Sequence, residues 1–313
     1  MAATDALGSK AQPAPRRLGA ARRHWGEDLG KAVLALCACL SIVTTVGIVI
    51  ALLEPAIEFF RSVSITDFYT GTKWSPLFEP AKFGVVPLVL GTLKITAIAC
   101  LVCVPFGLGA AIYMSEYARP RVRAVLKPTL EILAGIPTVV FGYFALTFMT
   151  PLLRDIGIHV DIFNALSAGI VVGIMLIPTV ASISEDSMQA VPTGLRQGSY
   201  GLGASKAQTA TRVIVPAAIS GIIASFVLAI SRAVGETMIV AIGAGLLPTM
   251  TLNPKVQTET MTAFIAATGI GDIPTGSIKY KTIFAVGLTL FVMTLALNLF
   301  AIKMVRRFRE VYE

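Results

Sequence analysis

Charge is what this chain has least of. Only 14% of its 313 residues are Asp, Glu, Lys or Arg, against 55% hydrophobic, whereas soluble domains carry roughly 25% charged residues. With a mean hydropathy of +0.77, this excludes an ordinary soluble domain. Histidine is nearly absent. His24 and His159 are isolated outside the apolar runs, without partners at metal-ligand spacing, so no metal site is expected. Cysteine is sparse, and Cys37, Cys39, Cys100 and Cys103 all lie inside apolar runs. The Cys100–Cys103 pair reads as two small apolar residues on one helix face, because a thiol in apolar surroundings lacks the electropositive setting that makes it reactive. A P-loop is missing as well. Its backbone amides cradle phosphates only with the spacing G-x-x-x-x-G-K-[ST]. The nearest stretch, GEDLGKA at Gly26–Ala32, is one residue short between its glycines and has Ala where the hydroxyl belongs. The chain is therefore expected to bind no ATP of its own and to carry no cofactor. It also shows no internal repeat.

What is present is a set of long apolar runs. Ala32–Leu53, Ile95–Ser115, Ile132–Leu153, Ile162–Ser184 and Thr282–Ile302 are free of charge, and each is close to the ~20 residues that span hydrocarbon. A sixth run starts at Val213 and continues past Arg232 and Glu236 to Leu247. The pattern predicts an all-α integral membrane protein with six transmembrane helices and no β-barrel strands. The expected boundaries are a basic cytoplasmic segment over 1–30, a first transmembrane helix over 31–60 and an extracytoplasmic loop over 61–86. A five-helix core over 87–304 contains a cytoplasmic loop at 185–215, and a cytoplasmic tail covers 305–313. No small-residue cleavage site follows the first apolar run, so that helix reads as uncleaved.

The basic residues set the orientation. With the N-terminus inside, Lys10, Arg16, Arg17, Arg22, Arg23 and Lys31 are cytoplasmic, together with the basic residues at 119–127, 196–212 and 303–309; that is seventeen. Seven fall outside: Arg61, Lys73, Lys82, Arg154, Lys255, Lys279 and Lys281. Both termini are thus expected in the cytoplasm. The net charge of +8 is explained by this topology; no basic face with interleaved aromatics points to nucleic acid. Lys94 falls in a span near its outer end, where it can snorkel, and Glu131 is expected to pair with Lys127.

The cytoplasmic loop reads VPTGLRQGSYGLGASKAQTATRVIVPAA. Pro192 can open a helix at its first turn, and Gly201 and Gly203 can end it and allow a sharp bend. A second short helix is expected from Ser205 toward the membrane, where Pro216 starts the next span. This helix–glycine–helix elbow resembles the coupling loop of type I ABC-importer permeases. That family's loop begins Glu-Ala-Ala; here Gln197 stands at the acidic position, followed by Gly198 and Ser199, while Gly203 and Pro216 match. KWSPLFEPAKFGVVPLVLGTL, EILAGIPTVVFG, SRAVGETM, TMTAFI and the C-terminal TIFAVGLTLFVMTLALNLFAIKMVRRFREVYE resemble, as a set, phosphate-specific importer permeases of the PstC type, over Trp74 to Glu313. The resemblance implies the type I ABC-importer permease fold in a bacterial cytoplasmic membrane. It also implies a heterodimer with a PstA-type permease, two ATPase subunits that hold ATP and magnesium, and an extracytoplasmic phosphate-binding protein.

Arg232 and Glu236 interrupt the sixth run. A charge at mid-membrane costs about 2.5–3.5 kcal/mol on insertion scales, and a four-residue spacing on one helix sets two side chains on one face. Arg232 lies about 24 Å beyond Pro216 at 1.5 Å per residue, past the middle of a ~30 Å core. Three readings compete: a self-neutralising pair that fixes helix rotation, a pair lining an anion path, and a proton relay. The resemblance favours the second, because the family associates charged residues at these positions with phosphate passage. Rival functions are a permease for sulfate, molybdate or phosphonate, and a proton-coupled secondary carrier.

Overall fold

The structure, a computed structural model, describes residues 25–307; the basic head at Lys10–Arg23 and most of the expected tail lie outside them. The chain divides into two compact units, one ending at Ala51 and one starting at Leu52. The first consists, among the described residues, of most of helix α1 (Trp25–Ser62), whose apolar side chains are exposed, as suits a helix whose solvent is lipid. Gly26–Ala32, the near miss to a P-loop, is helical here.

The second unit follows the chain through helix α2 (Ile65–Thr70) and a hairpin of strands β1 (Trp74–Ser75) and β2 (Lys82–Phe83) into α3 (Val86–Ile112). A π-helical turn at Tyr113–Tyr117 ends that span. Helix α4 (Pro120–Ala134) comes next, then α5 (Thr138–Phe144) and α6 (Thr150–Asp155), the last two joined by a π-helical stretch at 145–149. Helix α7 (Ala165–Gln189) leads to α8 (Thr193–Gly201), α9 (Lys206–Thr209), a π-helical turn at 210–214, and α10 (Val215–Ala217). The chain ends with α11 (Ile219–Val234), α12 (Met238–Gly243), α13 (Met261–Ile270) and α14 (Ile278–Arg307).

Among the described residues four helices are long and apolar enough to cross a membrane: α1, α3 with its π turn, α7 and α14. Two further spans are broken. Helix α4 meets the α5–α6 segment at 88°, and the 206–217 segment meets α11 at 72°. These six account for the six expected spans, with two corrections. The third crosses from Thr138 rather than Ile132, because the Gly135–Pro137 stretch cannot continue a helix and α4 turns away from it. The fifth starts at Ile219 rather than at Pro216. The connection from Pro248 to α14, which the orientation reading places outside, carries α13, whose first turn is buried against its neighbours.

Helices α3 and α7 form the centre of the second unit, with Ile95, Ala99 and Cys103 of α3 facing Ala168, Val172, Met175 and Val180 of α7. Glycines let them approach. A Cβ on Gly173 would stand 2.6 Å from Cβ of Val102, and one on Gly107 would stand 2.6 Å from Cβ of Val180. This is small-residue packing, by which membrane helices gain contact where no hydrophobic force operates.

The start of α7 shows how its backbone is satisfied. Its first amides have no partner within the helix, and the outer connection supplies them. Asn164 N donates to Gly243 O at 3.1 Å, Ala165 N to Val256 O at 3.2 Å and Leu166 N to Pro254 O at 2.8 Å. Ser167 N donates to Asn164 Oδ1 at 2.7 Å. The outer connection is therefore tied to the central helix. Near it, Phe59, Phe68, Trp74 and Phe264 pack edge to face, with Trp74 and Phe264 4.9 Å apart.

Gly173→Val should cost about 1–3 kcal/mol by overpacking, read as a lower thermal midpoint of the purified chain. Gly109→Ala, where a Cβ meets nothing within 4 Å, should leave the midpoint unchanged. Equal midpoints for Gly173→Val and the native chain would refute the close crossing of α3 and α7.

Candidate functional site

The two charges of the sixth apolar run do not share a helix. Helix α11 ends at Val234, and Glu236 N bonds Ala233 O at 3.3 Å in a tightened last turn. Glu236 then lies between α11 and α12, 7% exposed. Its Oε1 accepts from Ile239 N at 3.3 Å, capping the first turn of α12, and its main-chain carbonyl accepts from Thr262 Oγ1 of α13 at 2.6 Å. Arg232 is exposed, on the last turn of α11. Among the described residues no ion pair joins it to Glu236, which corrects the expectation of a pair within reach on one face. The four-residue rule presumes an unbroken helix, and Gly235 ends this one. From Ile219, Arg232 lies roughly 20 Å along the helix, still beyond the middle of a ~30 Å core.

A helix interrupted in a membrane is tolerated where protein or a water-filled cavity replaces the lost partners. Here Thr262 and Glu236 do so. Beside Arg232, Ser231 Oγ donates to Asn298 Oδ1 of α14 at 2.8 Å, holding the rotation of α11. Lys94, the other basic residue inside a span, does not snorkel. Its Nζ is turned onto the carbonyls of Thr251 and Asn253, at 3.2 and 3.5 Å, and the side chain is buried.

The elbow at 193–217 forms as the sequence foretells. Pro192 caps α8, which runs through Gln197, Gly198 and Ser199 to Gly201. Gly203 has φ +81°, the left-handed conformation that an L side chain resists. Ser205 then opens α9 with a reciprocal cap: its Oγ accepts from Gln208 N at 3.3 Å, and Gln208 Oε1 accepts from Ser205 N at 2.8 Å. Ser199 Oγ and Thr209 Oγ1, 2.9 Å apart, close the elbow on itself. Pro216 sits in α10, just before the 72° bend.

An ionic network that sequence reading missed fastens this elbow. Arg196 of α8 donates through Nη1 to Val191 O at 2.8 Å and through Nη2 to Met188 O at 2.7 Å, meeting carbonyls at the end of α7. It also pairs with Glu116 at 3.1 Å. Glu185, completely buried near the C-terminal end of α7, pairs with Arg123 and with Lys127 of α4, the latter at 3.1 Å; Lys127 also reaches Asp186 at 2.6 Å. Lys127 therefore pairs across to α7 and not with Glu131, which is exposed. The one available signal was the acidic pair at 185–186 at the end of an apolar run facing a basic stretch at 119–127.

Long apolar helices, two bent helix pairs and a glycine elbow make this a membrane protein, and its relatives place it among the transmembrane subunits of ABC importers. The chain belongs to the binding-protein-dependent transport system inner membrane components, whose profile matches residues 104–310. It is 34% identical to the probable ABC transporter permease protein YqgH of Bacillus subtilis, over 87% of this chain and 88% of that one. It is 34% identical to the phosphate transport system permease protein PstC 1 of Mycobacterium tuberculosis, over 77% and 81%. It is 30% identical to the PstC of Haemophilus influenzae, over 86% and 90%. Among solved structures it is similar to a chain of a bacterial alginate ABC transporter, at TM-score 0.62 and 16% identity over 91% of this chain and 98% of that one. It is also similar to a chain of the MetNI methionine ABC transporter, at TM-score 0.54 and 20% identity over 72% and 95%. The fold is therefore the type I ABC-importer permease fold, and the chain is an integral membrane transport subunit.

Gly203→Ala should lower stability by about 1 kcal/mol, the penalty of a Cβ in the left-handed region. Gly201→Ala, at a helical position with open space, should be neutral or slightly stabilising. Thermal midpoints of both variants check this; a loss at Gly201 equal to that at Gly203 would contradict the turn geometry.

Proposed function

We propose that this chain is one half of the membrane channel of an ATP-driven importer that passes inorganic phosphate into the cytoplasm. The observation that carries the reading is Arg232: exposed, without hydrogen bond or ion pair among the described residues, and placed past mid-membrane on an apolar helix. Left facing lipid it would cost about 2.5–3.5 kcal/mol or more. A polar path bounded by a second permease removes that cost, and an anion in the path gains a partner. Phosphate presents several acceptor oxygens and one or two negative charges near neutral pH, which suits the planar fork of arginine. One arginine attracts without trapping, as conduction requires. The relatives named for phosphate transport support this choice among oxyanions.

Glu236 serves a different role from its neighbour. Buried and bound to Ile239 N, it holds the interruption in shape and keeps the arginine on the accessible turn. The elbow at 193–217, with Gln197, Gly198, Ser199, Gly203 and Pro216, is the contact for an ATPase. Arg196 and Glu116 carry its displacement into α7 and the end of α3. ATP and magnesium sit on two ATPase subunits, a PstA-type permease supplies the other half of the path, and a phosphate-binding protein docks on the outer face. The chain resides in a bacterial cytoplasmic membrane with both termini inside.

Arg232→Gln should reduce phosphate uptake at least about tenfold, equivalent to ~1.4 kcal/mol, with the amount of assembled complex unchanged. Glu236→Gln retains an acceptor for Ile239 N and should assemble normally, whereas Glu236→Ala should lose about 1 kcal/mol of stability with its cap. Normal uptake by Arg232→Gln, normalised to complex in the membrane, would reject the anion path.

For orientation, reporters fused within 119–123 and near Arg196 should report cytoplasm, and those near Trp74 and Lys255 the outside. One reversed loop breaks the topology.

A further inference from the structure

We propose that the cavity between the Trp74 hairpin and helix α13 binds a small organic ammonium ion, with the cation against Glu259 and the aromatic wall around it. The site is separate from Arg232 and does not depend on phosphate being the transported anion.

The cavity measures about 360 Å³ and is walled by Trp74, Leu77, Phe78, Leu246 and Phe264. That is the small end of ligand pockets, which run from about 300 to 1,000 Å³, and suits one small molecule or headgroup. Two carboxyls open onto it, Glu259 and, exposed, Asp272. Glu259 is only 5% exposed, and its carboxyl has no hydrogen bond or ion pair among the described residues. Burial alone pushes it up to about 8. Lys255, on the same segment, is exposed and no cation contributes to the shift at Glu259; other lysines of the adjoining elements are engaged elsewhere. Lys94 of α3 holds the carbonyls of Thr251 and Asn253. Lys279 pairs with Glu79 and Leu77 O, and Lys281 with Glu58. Lys73 and Lys82 line a different groove. The chain thus buries a carboxyl and brings no cation to it.

The remaining groups narrow the ligand. Ammonium groups are held by aromatic faces as well as by carboxylates, and Trp74, Phe78 and Phe264 provide rings. Trp74 Nε1 is buried and has no acceptor, though a buried indole N–H normally finds one. A small ammonium ion meets these groups, with its cation facing Glu259 and its alkyl part against the rings. Ethanolammonium and choline have this chemistry, free or as lipid headgroups. Binding the cation favours the ionised carboxylate, so near neutral pH one proton leaves Glu259 for solvent as the ligand enters. Affinity therefore rises with pH until the midpoint near 8 is passed.

The test uses the full chain in phosphatidylglycerol nanodiscs. The chain has two tryptophans, so Trp25→Phe leaves Trp74 as its fluorescent reporter. Choline and ethanolammonium should change Trp74 emission saturably, and the neutral isostere 3,3-dimethylbutanol should bind at least tenfold more weakly. Affinity for choline should rise about tenfold between roughly pH 6.5 and 8.5. Glu259→Gln should weaken choline at least tenfold and abolish the pH dependence. Repeating the titration in phosphatidylethanolamine nanodiscs separates the sources. A weaker apparent affinity there assigns the site to the lipid headgroup, and an unchanged one assigns it to a soluble amine. No saturable response, equal binding of the neutral isostere, or a pH-independent affinity overturns the proposal. These three readings come from the Trp25→Phe chain, so they hold even where Glu259→Gln folds poorly.

Discussion

Hydrocarbon offers no partner to a backbone amide, a carbonyl or a charge, and the irregular parts of this molecule are arranged around that constraint. At the start of α7 and at the interruption after α11, other segments or a nearby side chain bring the missing donor or acceptor. The orphan amides of α7 are met by carbonyls of Gly243, Pro254 and Val256. The carbonyl of Glu236 at the interruption is met by Thr262, and the opening of α12 by the Glu236 carboxylate. Because these partners come from residues 243–262, the outer connection folds into the protein instead of looping away from it. The same need explains why α13 is too short to span and still buried at its first turn.

The elbow end of α7 solves a different problem with charge. Water is available there, and salt bridges at an exposed surface contribute little. The cluster at Glu185 is an exception because that carboxylate is fully buried, and removing a partner from a buried charge is expensive. Arg123 and Lys127 hold α4 against the end of α7, and Arg196 holds α8 against the same end. A push on the elbow therefore meets a braced junction rather than a flexible loop. Helix α7 crosses α3 with almost no space between them, so the braced junction is continuous with the packed centre of the unit.

Local chemistry was legible in the sequence to the residue. Pro192, Gly203 and Ser205 each act within three or four positions of themselves, and each takes the expected role in the elbow. The number of spans was legible too, because it depends on length and apolar content alone. What the sequence hid were the bends and the distant partners. Ile132–Leu153 reads as one apolar run because hydropathy does not register that Gly135 and Pro137 divert the backbone. Lys127 had an acid one turn away in Glu131, and only the packing of α4 on α7 brings Glu185 and Asp186 nearer. Nothing in the sequence marked Glu259, which is buried only because the segment leading into α13 folds inward.

The contrast between Lys94 and Arg232 carries the functional argument a last step. Both are basic residues placed within spans, at comparable cost if left alone. Lys94 is enclosed, its ammonium directed at two carbonyls of its own chain, so its charge is spent on fastening the outer connection. Arg232 had a carboxylate four residues away, and the chain ended the helix between them and used that carboxylate as a cap. A fold that needed only neutrality would have continued the helix and paired the two. Breaking it leaves the guanidinium accessible on the turn where α11 stops, with Ser231 bound to Asn298 to fix its direction. The arginine's partner is thus to be sought outside this chain, in what occupies the face it presents.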